Sequence, residues 1–466
     1  MRTALLGLIL AGGVAGPFGA QPRVEESSPV FPWRVAESRR YLVDARERPV
    51  LLQAEAAWSL IIGLTLEEVD HYLRDRRARG FNGIIVNLIE HAFPGAANPH
   101  AAPRNRQGAG PFATPGDFST PNEAYFAHAD AVLARAEVAG FAVFLAPCYL
   151  GYPRLTEGWY EEVLQNGVDR CRAYGRFVGR RYRDRLNLIW VMSGDRNPDA
   201  ARPMVEAMAA GLREGGAAQL MTAHCQPGES PRQIFPASPW LQLDNVYTYD
   251  PVHRNSLYAY LTKPLMPFLL FESAYENERG ASAGRLRAQA YTALLAGACG
   301  QAFGNLPIWK FGSGWEAALG SEGSRSMAHV TALFRSRRWT ELEPDATHEI
   351  VTEGYIGGDT WVGCARTRDR RTVILYLPER PPRQKSEPAN PRRHAPTVDV
   401  DLGQLNGRAV TAWWYNPRDG TATAGGEFPA KGTRTFTRPD DADWVLVLDD
   451  SAAQWPAPGT GGDRTR

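Results

Sequence analysis

Two acidic residues end apolar runs in a way that invites chemistry. Along Leu188 to Ser193 and on through Gly194 to Asp195, a two-residue alternation sets Ile189, Val191, Ser193 and Asp195 on one face. Along Phe268 to Glu272, the same count groups Phe268, Leu270 and Glu272. A carboxylate buried at the end of an apolar strand is costly unless it has a partner or a task. Two carboxyls facing each other can divide labour: one stays protonated and donates to a leaving oxygen, the other stays ionised and attacks carbon or activates water. Their mutual repulsion holds one proton in place at neutral pH. That pair suits cleavage of a glycosidic bond. The bland alternative for Asp195 is a loop-stabilising ion pair with the adjacent Arg196, and Glu276 is the rival to Glu272, ranked second because it falls in the following loop.

Elements that would position such a pair can be read from the hydrophobic rhythm. Eight short runs rich in apolar residues alternate with amphipathic stretches: Val50 to Ala54, Gly83 to Ile89, Ala142 to Ala146, Asn187 to Ser193, Leu220 to His224, Val246 to Tyr249, Phe268 to Glu272 and Gln301 to Asn305. Helices are expected between them over Thr65 to Arg79, opened by a capping box and closed at Gly80, over Asn122 to Ala139, and near Glu161 to Tyr182, Pro203 to Glu214 and Ala283 to Ala296. Eight βα units in about three hundred residues predict an α/β fold, a (β/α)8 TIM barrel spanning 28–340. A doubly wound sheet is the runner-up, but no GxGxxG turn follows the first strand. Chemistry then belongs at the C-terminal ends of the strands, where the fourth and seventh lie nearly opposite. Residues 92–119, rich in Pro, Gly and Ala, read as a long loop over one mouth of the barrel.

Beyond Glu341 the period shortens. Alternating runs at Thr360 to Ala365, Thr372 to Leu377, Thr397 to Leu402, Ala409 to Tyr415, Thr433 to Thr437 and Trp444 to Leu448 predict a small antiparallel β-sandwich over 341–450, with 451–466 as a loose tail. Pro378 to Pro396, dense in Pro and Arg, is expected as a loop within it. On a strand, Trp413 and Trp414 face opposite ways, one into the core and the other toward the barrel.

Composition narrows the partners. The 466 residues carry 52 Lys and Arg against 51 Asp and Glu, so no basic field gathers phosphate backbones and nucleic acid is not expected as a partner. Thirteen Trp and 17 Tyr supply flat rings suited to sugar faces as well as to cores. Met1 and Arg2, the apolar stretch Ala4 to Gly16 and small residues around Ala15 and Ala20 read as a signal peptide over 1–20, hence a secreted or periplasmic protein with no membrane span. Five widely spaced cysteines without a CxxC pair argue against zinc or a disulfide scaffold, and carboxylates and histidines show no metal-ligand spacing, so neither metal nor cofactor is expected. Substrate-binding candidates near strand ends are Glu55, Trp58, Asn87, His91, Tyr149, His224, Tyr247, Tyr275 and Trp309. For each, a core or structural role is the competing reading.

Several stretches together carry a resemblance: Thr120 to Phe126 with His128 to Asp130, Trp190 to Pro198, Glu272 with Tyr275 and Glu276, Ala296 to Gly300 with Gly304 and Trp309, Trp339 to Asp345, Ala412 to Pro417, and Trp444 to Leu446. The chain resembles the DUF4038 group of apiosidase-like glycosidases, which includes glycoside hydrolase family 140, with a C-terminal module of the kind labelled the collagen-binding domain of a collagenase. The resemblance implies a retaining, exo-acting glycosidase on a (β/α)8 barrel, with Asp195 as acid/base and Glu272 as nucleophile, acting on an oligosaccharide or polysaccharide such as a complex pectin side chain. Where relatives show Gly-Asp-Thr-Ala-Trp, this chain has Ala54-Glu55-Ala56-Ala57-Trp58, which sets the longer Glu55 further into the expected mouth. Two other classes compete: a catalytically silent carbohydrate-binding barrel, and an adhesion protein whose function lies in the sandwich.

Overall fold

A computed structural model describes residues 29–91, 100–151, 157–354, 361–379 and 397–461. The expected signal peptide lies outside them, as do residues 92–99, 360 and 380–396 of the two expected loops and the first sandwich strand.

Eight parallel strands form the barrel wall: β1 (Leu52–Ala56), β2 (Gly83–Asn87), β3 (Ala142–Ala146), β4 (Leu188–Ser193), β5 (Met221–His224), β6 (Asp244–Tyr247), β7 (Phe268–Glu272) and β8 (Gly300–Phe303). They pair in the order β5-β4-β3-β2-β1-β8-β7-β6. No backbone ladder joins β5 to β6. That seam is crossed by the Asn245 side chain, whose Nδ2 donates to the Ala223 carbonyl at 2.5 Å and to Thr222 Oγ1 at 3.1 Å, and by backbone bonds from the Gln242 and Leu243 amides to the Met221 carbonyl and from the Gly228 amide to that of Tyr247.

Alternation sorts each strand into two faces. Ala54 and Ala56, Ile85, Phe144, Ile189 and Val191, and Leu269 and Phe271 fill the barrel interior. Ile84, Val86, Val143, Trp190 and Met192 turn outward onto helices. Leu42 and Val50, from a small three-stranded antiparallel sheet preceding β1, and Trp33 just before its first strand join the interior cluster and close the floor.

The main helices are α1 (Leu66–Ala78), α2 (Glu123–Val138), α3 (Tyr160–Tyr182), α4 (Arg202–Glu214), α5 (Val252–Leu261), α6 (Ala283–Leu295) and α7 (Glu322–Arg335). Helix α1 starts as read: Thr65 accepts from the Glu68 amide while the Glu68 carboxylate accepts from the Thr65 amide. Helices α3 and α4 approach closely because glycines line their contact. A Cβ at Gly175 would sit 2.3 Å from the Met208 carbonyl, and one at Gly211 would sit 2.2 Å from that of Arg172. Helices α5 and α7 have no counterpart in the periodicity reading.

Among the described residues, the C-terminal region holds nine strands: β9 (Leu342–Pro344), β10 (Val351–Glu353), β11 (Gly363–Thr367), β12 (Thr372–Leu377), β13 (Thr397–Asp401), β14 (Ala409–Tyr415), β15 (Ala422–Pro429), β16 (Thr433–Thr437) and β17 (Trp444–Asp450). They form a six-stranded sheet, β9-β11-β12-β17-β14-β15, and a three-stranded one, β10-β13-β16, over an apolar core that includes Trp414. Trp413 faces the other way, against the barrel-side core. Two buried ion pairs tie the seam: Arg287 of α6 to Asp443 (2.7 Å) and Arg337 to Asp449 (2.7 Å). Residues 451–461 are not the loose tail expected. Arg337 Nη2 donates to the Pro456 carbonyl, and the Gly459 amide donates to Ser336 Oγ.

Candidate active site

Asp195 follows β4 through a contorted turn. Ser193, Gly194 and Asp195 have φ of 66°, 153° and 54°, all on the positive side. Strain of that kind persists where the surroundings enforce it. Here Gly194 lies against the Tyr149 ring, with room for no Cβ, while the Leu150 and Gly151 amides donate to the Ser193 and Gly194 carbonyls. The turn breaks the alternation, so Asp195 is aimed by this clamp and not by strand period.

Glu272 also reaches the mouth by an irregularity. Phe268 and Leu270, its expected face-mates, point outward against Val252, Ala259 and Ala293. Strict alternation would send Glu272 the same way. Between Leu270 and Glu272 the register against β6 slips by one residue, a bulge that turns the Glu272 side chain to the mouth. The expected location holds, but the expected reason does not.

Two bridges span the space between these carboxyls. On one side, the Asp195 amide donates to His224 Nδ1 (3.1 Å), which places the ring's proton on Nε2, 3.1 Å from Glu272 Oε2. On the other, the Tyr247 hydroxyl donates to Asp195 Oδ1 at 2.6 Å and lies 3.2 Å from the Tyr249 hydroxyl, which lies 3.5 Å from Glu272 Oε1. Burial, then the charge of Glu272, pushes the Asp195 carboxyl up to about 6. An acid poised there can hold a proton and release it near neutral pH. Tyr249 was missed by the sequence reading, although it stands two residues beyond Tyr247 on the same face.

Aromatic residues wall the pit. Trp58 stacks on His224 with centroids 5.5 Å apart, meets Tyr149 edge-on, and donates from Nε1 to the Tyr275 hydroxyl at 3.1 Å. Asn87 is buried beside them, its amide N–H on the Trp58 carbonyl. Trp309 packs on the same interior cluster, its carbonyl accepting from the Ser59 amide.

Other candidates belong elsewhere. Glu55 does not enter the mouth: it points outward between its inward neighbours Ala54 and Ala56, and is fully buried against α1. There it accepts from the Tyr72 hydroxyl (2.6 Å) and Arg76 Nη1 (2.9 Å). His91 is held by Glu162 (2.9 Å) and the Trp159 ring. His224, expected to touch sugar, is wholly buried and serves the two carboxyls instead. Glu276 accepts from the Ser321 hydroxyl and the Gly323 amide, anchoring the N-terminus of α7, so it is not free to act as a nucleophile.

Among the described residues, no three His, Cys, Asp or Glu side chains gather as metal ligands, and no helix is long and apolar enough to cross a membrane. All five cysteines are buried free thiols.

Residues 36–341, more than half the chain, match the family described as "Apiosidase-like, catalytic domain". The chain belongs to the apiosidase-like family. Residues 393–449 match "Putative collagen-binding domain of a collagenase". A solved structure described as a glycoside hydrolase superposes with a TM-score of 0.76 at 22% identity, covering 91% of this chain and 99% of that one. A glycoside hydrolase family 5 structure from Bacteroides vulgatus superposes at 0.78 and 20% identity, covering 94% and 98%. These likenesses show the fold. No curated protein sequence matches the chain. Membership of the apiosidase-like family and this fold together support a glycosidase.

Proposed function

We propose that the protein is a secreted, retaining, exo-acting glycoside hydrolase that removes a terminal sugar from the side chain of a complex polysaccharide. Asp195 is its acid/base and Glu272 its nucleophile. The observation carrying this reading is the convergence of two carboxyls from strands across the barrel: Asp195, held by Tyr247, and Glu272, with His224 Nε2 at 3.1 Å and the Tyr249 hydroxyl at 3.5 Å. In the first step the Asp195 proton passes to the glycosidic oxygen, that bond breaks, and Glu272 Oε bonds to the anomeric carbon. In the second, Asp195 takes a proton from water, whose oxygen displaces Glu272 and restores the starting configuration. Tyr247 holds Asp195 Oδ1, and His224 lies beside both carboxyls, accepting from the Asp195 amide and 3.1 Å from Glu272.

The test is hydrolysis of aryl furanosides, an apioside included, aryl pyranosides and pectin fragments by wild type, Asp195→Asn and Glu272→Gln, with product configuration read by NMR. Turnover with retained configuration, lost in both variants while folding is intact, is expected. Inverted product removes the nucleophile role. Sugar binding that is unchanged in Glu272→Gln, with no turnover by wild type on any substrate, makes the barrel a binding protein.

A further inference from the structure

The underside of the barrel, opposite the carboxyls, contains a second pocket. Its volume is about 270 Å³, room for one sugar ring. Three separate pieces of chain meet there: the hairpin turn at 38–41 in the small N-terminal sheet, the C-terminal ends of α5 and α6, and the start of the sandwich at 339–343 with Arg368.

Its floor is apolar and its rim is cationic. Leu294, Phe334 and Trp339 are buried in its wall. Tyr260 is fixed between two groups: Gly297, where a Cβ would fall 2.2 Å from the ring, lies on one side, and the Arg40 guanidinium stands 3.7 Å over the ring. Arg40 spends one nitrogen on the Tyr260 carbonyl (2.7 Å) and has no carboxylate partner among the described residues. Arg368 has only a loose contact with Glu343, at 3.9 Å between exposed side chains. Two guanidiniums against one carboxylate leave a positive charge beside the Ser38 and Thr340 hydroxyls and the Tyr41 ring, which meets Trp339 edge-on. A ligand of this pocket's size that matches it has a carboxylate for the guanidiniums and hydroxyls for the polar rim.

From this geometry we propose that the underside pocket binds one uronic acid residue, a sugar bearing a carboxylate, and so anchors an acidic polysaccharide at a distance from the catalytic mouth. The site rests on the glycosidase reading only for where such a ligand originates; its recognition chemistry stands on the pocket itself. Arg40 forms the charge-assisted contact from a side chain already held in place by Tyr260, and Arg368 supplies the second charge from the rim.

Binding is measured apart from turnover, by saturation-transfer NMR and calorimetry on the full chain, with D-galacturonate as probe and D-galactose and acetate as controls. Galacturonate is expected to bind saturably, galactose and acetate at least about tenfold more weakly. Arg40→Ala is expected to weaken galacturonate about tenfold or more, Arg368→Ala about threefold, and Glu272→Gln not at all. Arg368 is exposed, so Arg368→Ala decides the matter if Arg40→Ala fails to fold. The proposal is overturned if galacturonate does not bind saturably, if galactose binds equally well, or if Glu272→Gln abolishes binding while both arginine variants keep it. Absence of turnover by wild type on every substrate, with this binding intact, would sink the glycosidase reading and leave the pocket standing.

Discussion

The barrel mouth and the seam between barrel and sandwich both bury carboxylates, and they treat them in opposite ways. At the seam each acid meets an arginine in fork geometry. Asp443 accepts from Arg287 Nε and Nη2 and also from the Tyr376 hydroxyl, while Asp449 accepts from Arg337 Nε and Nη2 and from the Thr372 hydroxyl. At the mouth, Asp195 and Glu272 face phenols and an imidazole, and each other. Paired charge settles into structure, whereas charge that burial and a like neighbour leave uncomfortable stays available for proton and bond exchange. The contrast locates function more sharply than the mere presence of buried acids, since Glu55 is buried more deeply than either and is paired with Arg76.

Breaking each side of the contrast should give distinct losses. The largest belongs to the mouth: Glu272→Gln is expected to lower kcat by about 10⁴-fold or more with an unchanged melting curve, as assayed on the best aryl glycoside. At the seam, Arg337→Met leaves Asp449 buried without its cation and should cost about 3–5 kcal/mol in denaturant unfolding. The double variant Arg337→Met/Asp449→Leu should recover most of that, while kcat per folded molecule stays near wild type.

Asp195 gives an effect with a sign. Its folded carboxyl sits near 6, above the ordinary 3.8, so the folded protein binds more protons than the unfolded chain between those values. Stability therefore falls as pH rises through that window. Asp195→Asn should lose activity yet melt higher than wild type at pH 7.5, by on the order of 2 kcal/mol, and gain nothing at pH 3.5. In wild type, the same proton should give kcat/KM an alkaline limb near pH 6. Smallest is Tyr249→Phe, which removes a weak contact at 3.5 Å to Glu272 and one at 3.2 Å to the Tyr247 hydroxyl, and should reduce kcat/KM by about 3–10-fold with little change in stability. A loss as large as that of Glu272→Gln would mean that the phenol acts directly on the substrate.

The barrel was legible because its periodicity is simple. Runs such as Ala142–Ala146 and Phe268–Glu272 are apolar on both faces, as a strand between core and helices must be, and the capping box at Thr65 marks the start of α1. Asp195 and Glu272 were found at strand ends, but the devices that aim them, a left-handed turn and a bulge, leave no periodic trace. Glu55 misled because a departure from family pattern says nothing about which way the side chain points. Helices α5 and α7 escaped notice since polar residues such as His253, Arg254 and Asn255, or Ser324, Arg325 and Ser326, interrupt their apolar spacing. Tertiary contacts with the strands and the sandwich complete them. The underside pocket was invisible in one dimension, being assembled from segments some three hundred residues apart.

The missing ladder between β5 and β6 has a consequence for how the mouth responds to what enters it. Asp195 and His224 ride on one bank of that gap, Tyr247, Tyr249 and Glu272 on the other, and midway down the wall the Asn245 amide ties the two banks, with the Gln242 and Leu243 amides on the Met221 carbonyl at the base. The width of the cleft between acid and nucleophile thus depends at mid-wall on a side-chain stitch in place of a backbone ladder, making Asn245 a place where the cleft is loosened or tightened without touching a reacting group.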